Sequence, residues 1–261
     1  MRPVKLKIKR QDGPRQPSYW QSFSVPWQPH MNVISALMEI QKRPVTEGGE
    51  RVTPVVWECV CLEEVCGSCT MLVNGRVRQS CSAMVDALAS NGETITLEPM
   101  TKFPVVRDLV VDRSRMFDDL KRVRAWIQID GSHALGPGPR QSSENQEVAY
   151  PLSRCMTCGC CLEACPQIAK PGAESATART ARGDFVGAAA INQVRLFNMN
   201  PSGQMHAAER LDAVMGEGGV EDCGKAQNCA AVCPKEIPLV DSIAVVGRAA
   251  TKRMLLGWLL K

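Results

Sequence analysis

The 261-residue sequence has no apolar run approaching the ~18 residues that cross a bilayer, and its longest comparable stretch, Leu255–Leu260, is broken by Gly257. A secretory leader is not expected either. Met1–Arg10 (MRPVKLKIKR) has Lys5, Lys7 and Lys9 where such a leader needs continuous apolar residues. These two absences predict an intracellular chain that does not itself cross a membrane. A surplus of one charge is also missing: 31 basic against 27 acidic residues leave +4, too little to argue for a nucleic-acid partner. No segment reads as a dinucleotide or flavin cradle, because Gly136-Pro-Gly-Pro139 is too proline-laden to wrap a phosphate. Histidine is scarce, and His30, His133 and His206 sit in polar or loop contexts that predict solvated rings. No pattern marks a catalytic residue.

What the sequence does contain is cysteine. There are thirteen, an odd number that cannot all pair, and in a reducing compartment their thiolates are open to metals. Four lie in Cys61–Cys81, five in Cys155–Cys165 and three in Cys223–Cys233, with Cys59 just outside. Clustering at short spacing points to metal ligation.

The first hundred residues read as a small α+β domain. Val4, Leu6 and Ile8 alternate with lysines as a strand, and Tyr19, Gln21, Phe23 and Val25 suggest its hairpin partner. Asn32 is placed to cap a helix from Val33 to about Lys42. Asn74-Gly75 between two β-prone runs predicts a tight hairpin over Thr70–Arg78, and Thr94–Glu98 adds a strand. Asp108–Ile129 contains a basic amphipathic helical stretch, and 130–150 reads as a surface loop. From Pro151 onward helices dominate, at Phe185–Phe197, Met205–Met215 and Pro238–Leu260. The expected division is 1–105, a connecting 106–150 and a largely α-helical 151–261.

Within this frame the cysteines form three motifs. Cys61, Cys66, Cys69 and Cys81 have the C-x4-C-x2-C…C spacing of plant-type ferredoxins, which predicts a 2Fe–2S cluster. Gly67 and Ser68 let the backbone approach its sulfurs, and the Asn74-Gly75 turn returns Cys81 to the site. Cys155, Cys158, Cys161 and Cys165-Pro166 make the bacterial C-x2-C-x2-C-x3-C-P run. A second run, Cys223…Cys229…Cys233-Pro234, has Ala226 where its second cysteine belongs. In two-cluster proteins the fourth cysteine of each run ligates the other cluster. One cluster then takes Cys155, Cys158, Cys161 and Cys233, a full 4Fe–4S set. The other takes Cys165, Cys223 and Cys229, so its fourth iron has no ligand and 3Fe–4S is the natural product. Cys59 and Cys160 are left over and read as packed thiols. A zinc-stabilised interaction protein is the alternative of a different class.

With these motifs in this order, the chain resembles the iron–sulfur subunit of succinate dehydrogenase and fumarate reductase over essentially its whole length. Cys61-Leu-Glu-Glu-Val-Cys66-Gly-Ser-Cys69, Asp108-Leu-Val-Val-Asp112, the first Cys-Pro run with its extra Cys160, and Cys229-Ala-Ala-Val-Cys233-Pro234-Lys235 carry the resemblance. It implies a β-grasp 2Fe–2S ferredoxin domain followed by an α-helical ferredoxin-like domain with two clusters. It also implies the same cluster assignment, with electrons passing between a FAD-containing flavoprotein subunit and a membrane anchor that reduces quinone. Some family members have a tryptophan and a histidine at the quinone site where this sequence has Lys170 and Gly224. That departure resembles the branch with a dihaem cytochrome b anchor and menaquinone as acceptor, and it makes contact with quinone indirect. The implied location is peripheral, on the cytoplasmic face of the cell membrane. The same conduit would serve a quinol:fumarate reductase. Phe117, Trp126 and the 130–150 loop are candidate partner contacts. Ser242–Lys261, with Arg248, Lys252, Arg253 and Lys261 but no acid, reads as a helix resting on a membrane subunit or an anionic leaflet.

Overall fold

The computed structural model describes residues 3–127, 139–171 and 185–259. The chain divides into two compact units: Met1–Arg113 with Met156–Glu163, and Ser114–Cys155 with Ala164–Lys261.

The first unit is built on the strand pattern at the N-terminus. In β1 (Pro3–Arg10), Val4, Leu6 and Ile8 face the core while Lys5 and Lys7 face out, as a period of two requires. β2 (Tyr19–Pro26) pairs with it antiparallel along its whole length, from Pro3↔Pro26 to Arg10↔Tyr19. α1 (Val33–Lys42) buries Val33, Ile34, Leu37 and Ile40 on that core, and Asn32 caps it by accepting a hydrogen bond from Ser35 N at 2.8 Å. β3 (Thr70–Val73) and β4 (Arg76–Gln79) form the expected hairpin. Asn74 and Gly75 both take positive φ, 49° and 74°, as a tight primed turn demands. A single turn, α2 (Val85–Leu88), precedes β5 (Ile95–Glu98), which runs parallel to β1 and antiparallel to β3. The sheet order β2-β1-β5-β3-β4 with α1 packed on it is a β-grasp.

A short hairpin, β6 (Val105–Arg107) and β7 (Val110–Val111), follows. Asp108 at its turn is fully buried against Arg10, which donates Nε to Oδ1 at 3.1 Å and Nη2 to Oδ2 at 2.9 Å. The backbone N–H groups of Gln11 and Val56 also donate to this carboxylate. A buried charge pair persists only when its remaining hydrogen-bonding sites are filled, and here they are. The compact first unit runs to Arg113.

The second unit is helical. α3 (Ser114–Arg122) is shorter than the stretch read from sequence, and Arg124 just beyond it adopts φ 50°. Residues 143–150, expected to be loop, lie in a helix, α4 (Ser143–Ser153). Ser142 caps it by accepting from Asn145 N at 3.2 Å, and Pro151 falls only in its last turn. The flanking Gly-Pro run and Pro151 masked these start signals. The rest of the expected loop, 130–138 with His133, lies outside the described residues. α5 (Cys160–Glu163) belongs to the first unit. α6 (Gly187–Met199) is the central helix, with Ala188, Ala189, Ala190, Ile191 and Val194 buried. Asn192 within it donates to Leu152 O and accepts from Ser242 Oγ. α7 (Ala207–Ala213), α8 (Asn228–Ala231) and α9 (Leu239–Leu259) complete the unit. Arg210 is buried, and its guanidinium donates to the carbonyls of Arg124, Trp126 and Gly203 and to Asn198 Oδ1.

His206, expected to be solvated, is largely covered instead, with Nδ1 3.3 Å from Glu209 Oε2, because the short turn Gly203–His206 docks it on α7. His30 is exposed, as expected.

Candidate metal centres

None of the thirteen cysteines is in a disulfide, although they crowd into three short segments. The first segment curls tightly. Leu62, Glu64 and Gly67 have φ of 59°, 55° and 77°, which turns successive amides inward. Three of those amides converge on one sulfur: the N–H groups of Glu63, Val65 and Cys66 donate to Cys61 Sγ at 3.4, 3.3 and 3.4 Å. Cys66 Sγ lies 3.1 Å from Ser68 Oγ. The Cys69 and Cys81 thiols meet at the open end of the β3–β4 hairpin, where Ser80 N donates to Cys69 O. The α1 cap takes part here too, since Asn32 Nδ2 donates to Cys81 O at 2.9 Å and fixes that backbone.

Burial and hydrogen bonding push these thiols apart in acidity. At Cys66 burial acts upward, but hydrogen bonds from the Ser68 hydroxyl and amide and from Cys61 outweigh it and bring the thiol down to about 6. Burial raises Cys69, and burial with the Cys69 contact raises Cys81 to about 11. A metal must therefore displace protons at the inner pair, whereas Cys66 already favours thiolate.

The loop is braced by groups that no spacing rule signalled. Arg113 donates Nη1 to Gly67 O at 3.1 Å and Nη2 to Ser68 O at 2.6 Å. Thr70 Oγ1 donates to Gly67 O at 2.7 Å. At Gly67 a Cβ would stand 2.7 Å from Cys158 Cβ, so only glycine admits this approach.

Cys158, Cys160 and Cys161 belong to the first unit, Cys155 and Cys233 to the second. A hydrogen bond from Cys160, stronger than the opposing burial, lowers Cys158 to about 7, while that same bond and burial raise Cys160 steeply. Cys160 is fully buried and Cys59 packs on the first unit's core, both as expected of bystander thiols. Glu163 anchors the run: its carboxylate accepts from Thr101 N, Thr101 Oγ1 and Lys102 N at 2.7–3.0 Å.

In the second unit, Cys165, Cys223 and Cys229 line one cavity, and Ala226 lines it with them. Cys229 is raised by burial and further by the charges of Cys165 and Cys223. Lys225 and Gln227 on either side of Ala226 have φ of 55° and 60°, so this loop also curls. A Cβ on Gly224 would stand 2.3 Å from Gln167 Nε2, so the glutamine takes the space a side chain there would need.

Among the described residues no three histidine, cysteine or carboxylate side chains converge tightly enough to hold a single metal ion. A cluster, whose own irons and sulfides lie between the thiolates, accommodates a wider spread. Curled backbone, inward amides on sulfur and thiols outside any disulfide fit such a group.

Comparison with known proteins agrees with this chemistry. Residues 5–118 match the family model of the 2Fe-2S iron-sulfur cluster binding domain, and residues 151–237 match that of the 4Fe-4S dicluster domain. The class is thus an electron-transfer protein with two iron–sulfur domains in tandem. The succinate dehydrogenase iron-sulfur subunit of Bacillus subtilis is 52% identical over 245 residues, covering 94% of this chain and 91% of that protein. The fumarate reductase iron-sulfur subunit of Wolinella succinogenes is 31% identical over 194 residues, covering 74% and 76%. A chain of the Mycobacterium smegmatis Sdh1 complex in the apo form shares the fold, with a TM-score of 0.73 at 21% identity and 96% of both chains covered. The chain belongs to the family of succinate dehydrogenase and fumarate reductase iron–sulfur subunits.

Proposed function

We propose that the chain carries electrons through three clusters held by eleven cysteines. Cys61, Cys66, Cys69 and Cys81 hold 2Fe–2S. Cys155, Cys158, Cys161 and Cys233 hold 4Fe–4S. Cys165, Cys223 and Cys229 hold 3Fe–4S. The clusters supply one-electron redox chemistry, and the protein supplies thiolates, amide donors and a dry setting that together tune potential. The observation that supports the reading most is the cavity lined by Cys165, Cys223, Cys229 and Ala226, which brings three thiols together beside a methyl group.

The electrons come from a flavoprotein subunit that oxidises succinate and go to a membrane anchor that reduces quinone. That anchor is a dihaem cytochrome b and the acceptor menaquinone, reached indirectly. The filling of the space beside Gly224 by Gln167 supports indirect contact. The chain lies peripherally on the cytoplasmic face of the membrane. Among the described residues no helix is long and apolar enough to cross a bilayer. Met254, Leu255 and Leu256 are exposed near Arg248 and Lys252 on α9, which suits a membrane-facing helix. Truncation of Met254–Lys261 loosens membrane association on this reading; unchanged association removes the role.

Iron and acid-labile sulfide analysis with EPR on the purified complex tests the proposal. Three paramagnetic centres are expected, including an oxidised 3Fe–4S signal, and a colourless zinc protein overturns it. Resemblance to fumarate reductase subunits also favours a second reading, operation from quinol to fumarate. Succinate- and quinol-driven turnover in membranes holding all subunits separates the two directions.

A further inference from the structure

Gln79, the last residue of β4, is completely buried and touches two cysteines at once. Its Oε1 accepts from the Cys69 thiol at 3.4 Å, and its Nε2 donates to Thr70 Oγ1 at 2.7 Å and lies 3.7 Å from Cys160 Sγ. Thr70 passes its own hydrogen to Gly67 O. This chain of donors is complete only while Cys69 carries a proton. A Cys69 that ligates iron is a thiolate, and a carbonyl oxygen facing it would be two acceptors in contact inside a low-dielectric core.

We infer that Gln79 is a positioning residue for the first cluster: in the loaded protein its amide is turned by half a revolution, so that Nε2–H donates to Cys69 Sγ. The inference rests on the 2Fe–2S assignment above. The turn requires no other side chain to move. Oε1 arrives where Nε2 was, beside Thr70, whose hydroxyl rotates to donate to it. Gly67 O then loses the threonine but keeps Arg113 Nη1 at 3.1 Å. Cys69 gains a donor in place of an acceptor, and Cys160 Sγ exchanges the amide N–H for the amide oxygen, to which its thiol can donate.

The consequence is electrostatic. A hydrogen bond to a ligating sulfur favours the reduced, more negative cluster and so raises its potential, and burial enlarges the effect. Removing the N–H should lower the midpoint of the first cluster and leave the other two unmoved.

The test is an EPR-monitored redox titration of the purified complex carrying Gln79→Met, which keeps an unbranched chain of similar length without a donor. At fixed ambient potential, the reduced-to-oxidised ratio of the first cluster should fall about tenfold, a shift of about 59 mV for one electron. Thr70→Val removes only the anchor of Oε1 and should shift the midpoint less, in the same direction. Should Gln79→Met fail to assemble the cluster, Gln79→Glu decides, since its carboxylate keeps the shape and must lower the midpoint further. A wild-type midpoint in the assembled variant overturns the inference, as do equal shifts in all three centres, which would indicate general loosening. Absence of a 2Fe–2S signal in the unmodified complex overturns the cluster assignment instead.

Discussion

The Cys61–Cys81 loop and the Cys165/Cys223/Cys229 cavity solve one problem by different means. In the first, three thiols lie within nine residues and the loop's own amides face Cys61, so the local chain shapes most of the site. The fourth thiol, Cys81, returns through a hairpin whose turn chemistry is equally local. In the second, Cys165 and Cys229 are far apart in sequence and meet only because helices place them there. Asn228, at the start of α8, donates to Ala164 O and ties the two segments together. The first site resists changes in packing but depends on glycine and left-handed residues. The second depends on its scaffold, and in the proposed assignment one residue, Ala226, sets its nuclearity.

Several substitutions would break or sharpen this contrast. The largest effect is expected from Ala226→Cys, which supplies the missing thiolate and should abolish the oxidised 3Fe–4S signal while adding one iron per chain, read by EPR and iron analysis. Next is Asp108→Ala, which leaves Arg10 buried and uncompensated. A loss of about 3–5 kcal/mol is expected in denaturant unfolding followed by circular dichroism, confined to the first unit. Glu163→Gln turns an acceptor for two amides into a partial donor. It should cost about 1–3 kcal/mol, visible as faster hydrogen exchange at Thr101 and Lys102.

The smallest effect belongs to the surface of the second unit. Hydrogen bonds from Arg253 at 2.6 Å, and then its charge, hold the Asp212 carboxyl below its ordinary value. A depressed carboxyl contributes stability above its unfolded pKa and loses it as pH falls through the folded one. Asp212→Asn should therefore lower the thermal midpoint slightly near pH 7 and not at all in strong acid, a small difference because both groups are well exposed.

Much of the first unit was legible from residues alone. Alternation along Val4–Ile8, the Asn32 cap and the Asn74-Gly75 turn are short-range signals, and each element formed within a residue or two of its expected place. The two iron–sulfur domains were legible for the same reason, because cysteine spacing is itself a local signal. Residues 143–150 were not: a proline-rich neighbourhood concealed the Ser142 cap, and only packing on α6 makes that helix worthwhile. The braces around the first loop were equally silent. Arg113, Gln79 and Glu163 act across separations of 9 to 81 residues, and nothing in the type of a single side chain announces such a partner. Sequence by itself determined where the thiols cluster and where the chain must turn, since both follow from local chemistry. Tertiary structure decided which buried polar groups face the sulfurs, because long-range hydrogen bonds form only once the core has closed around them.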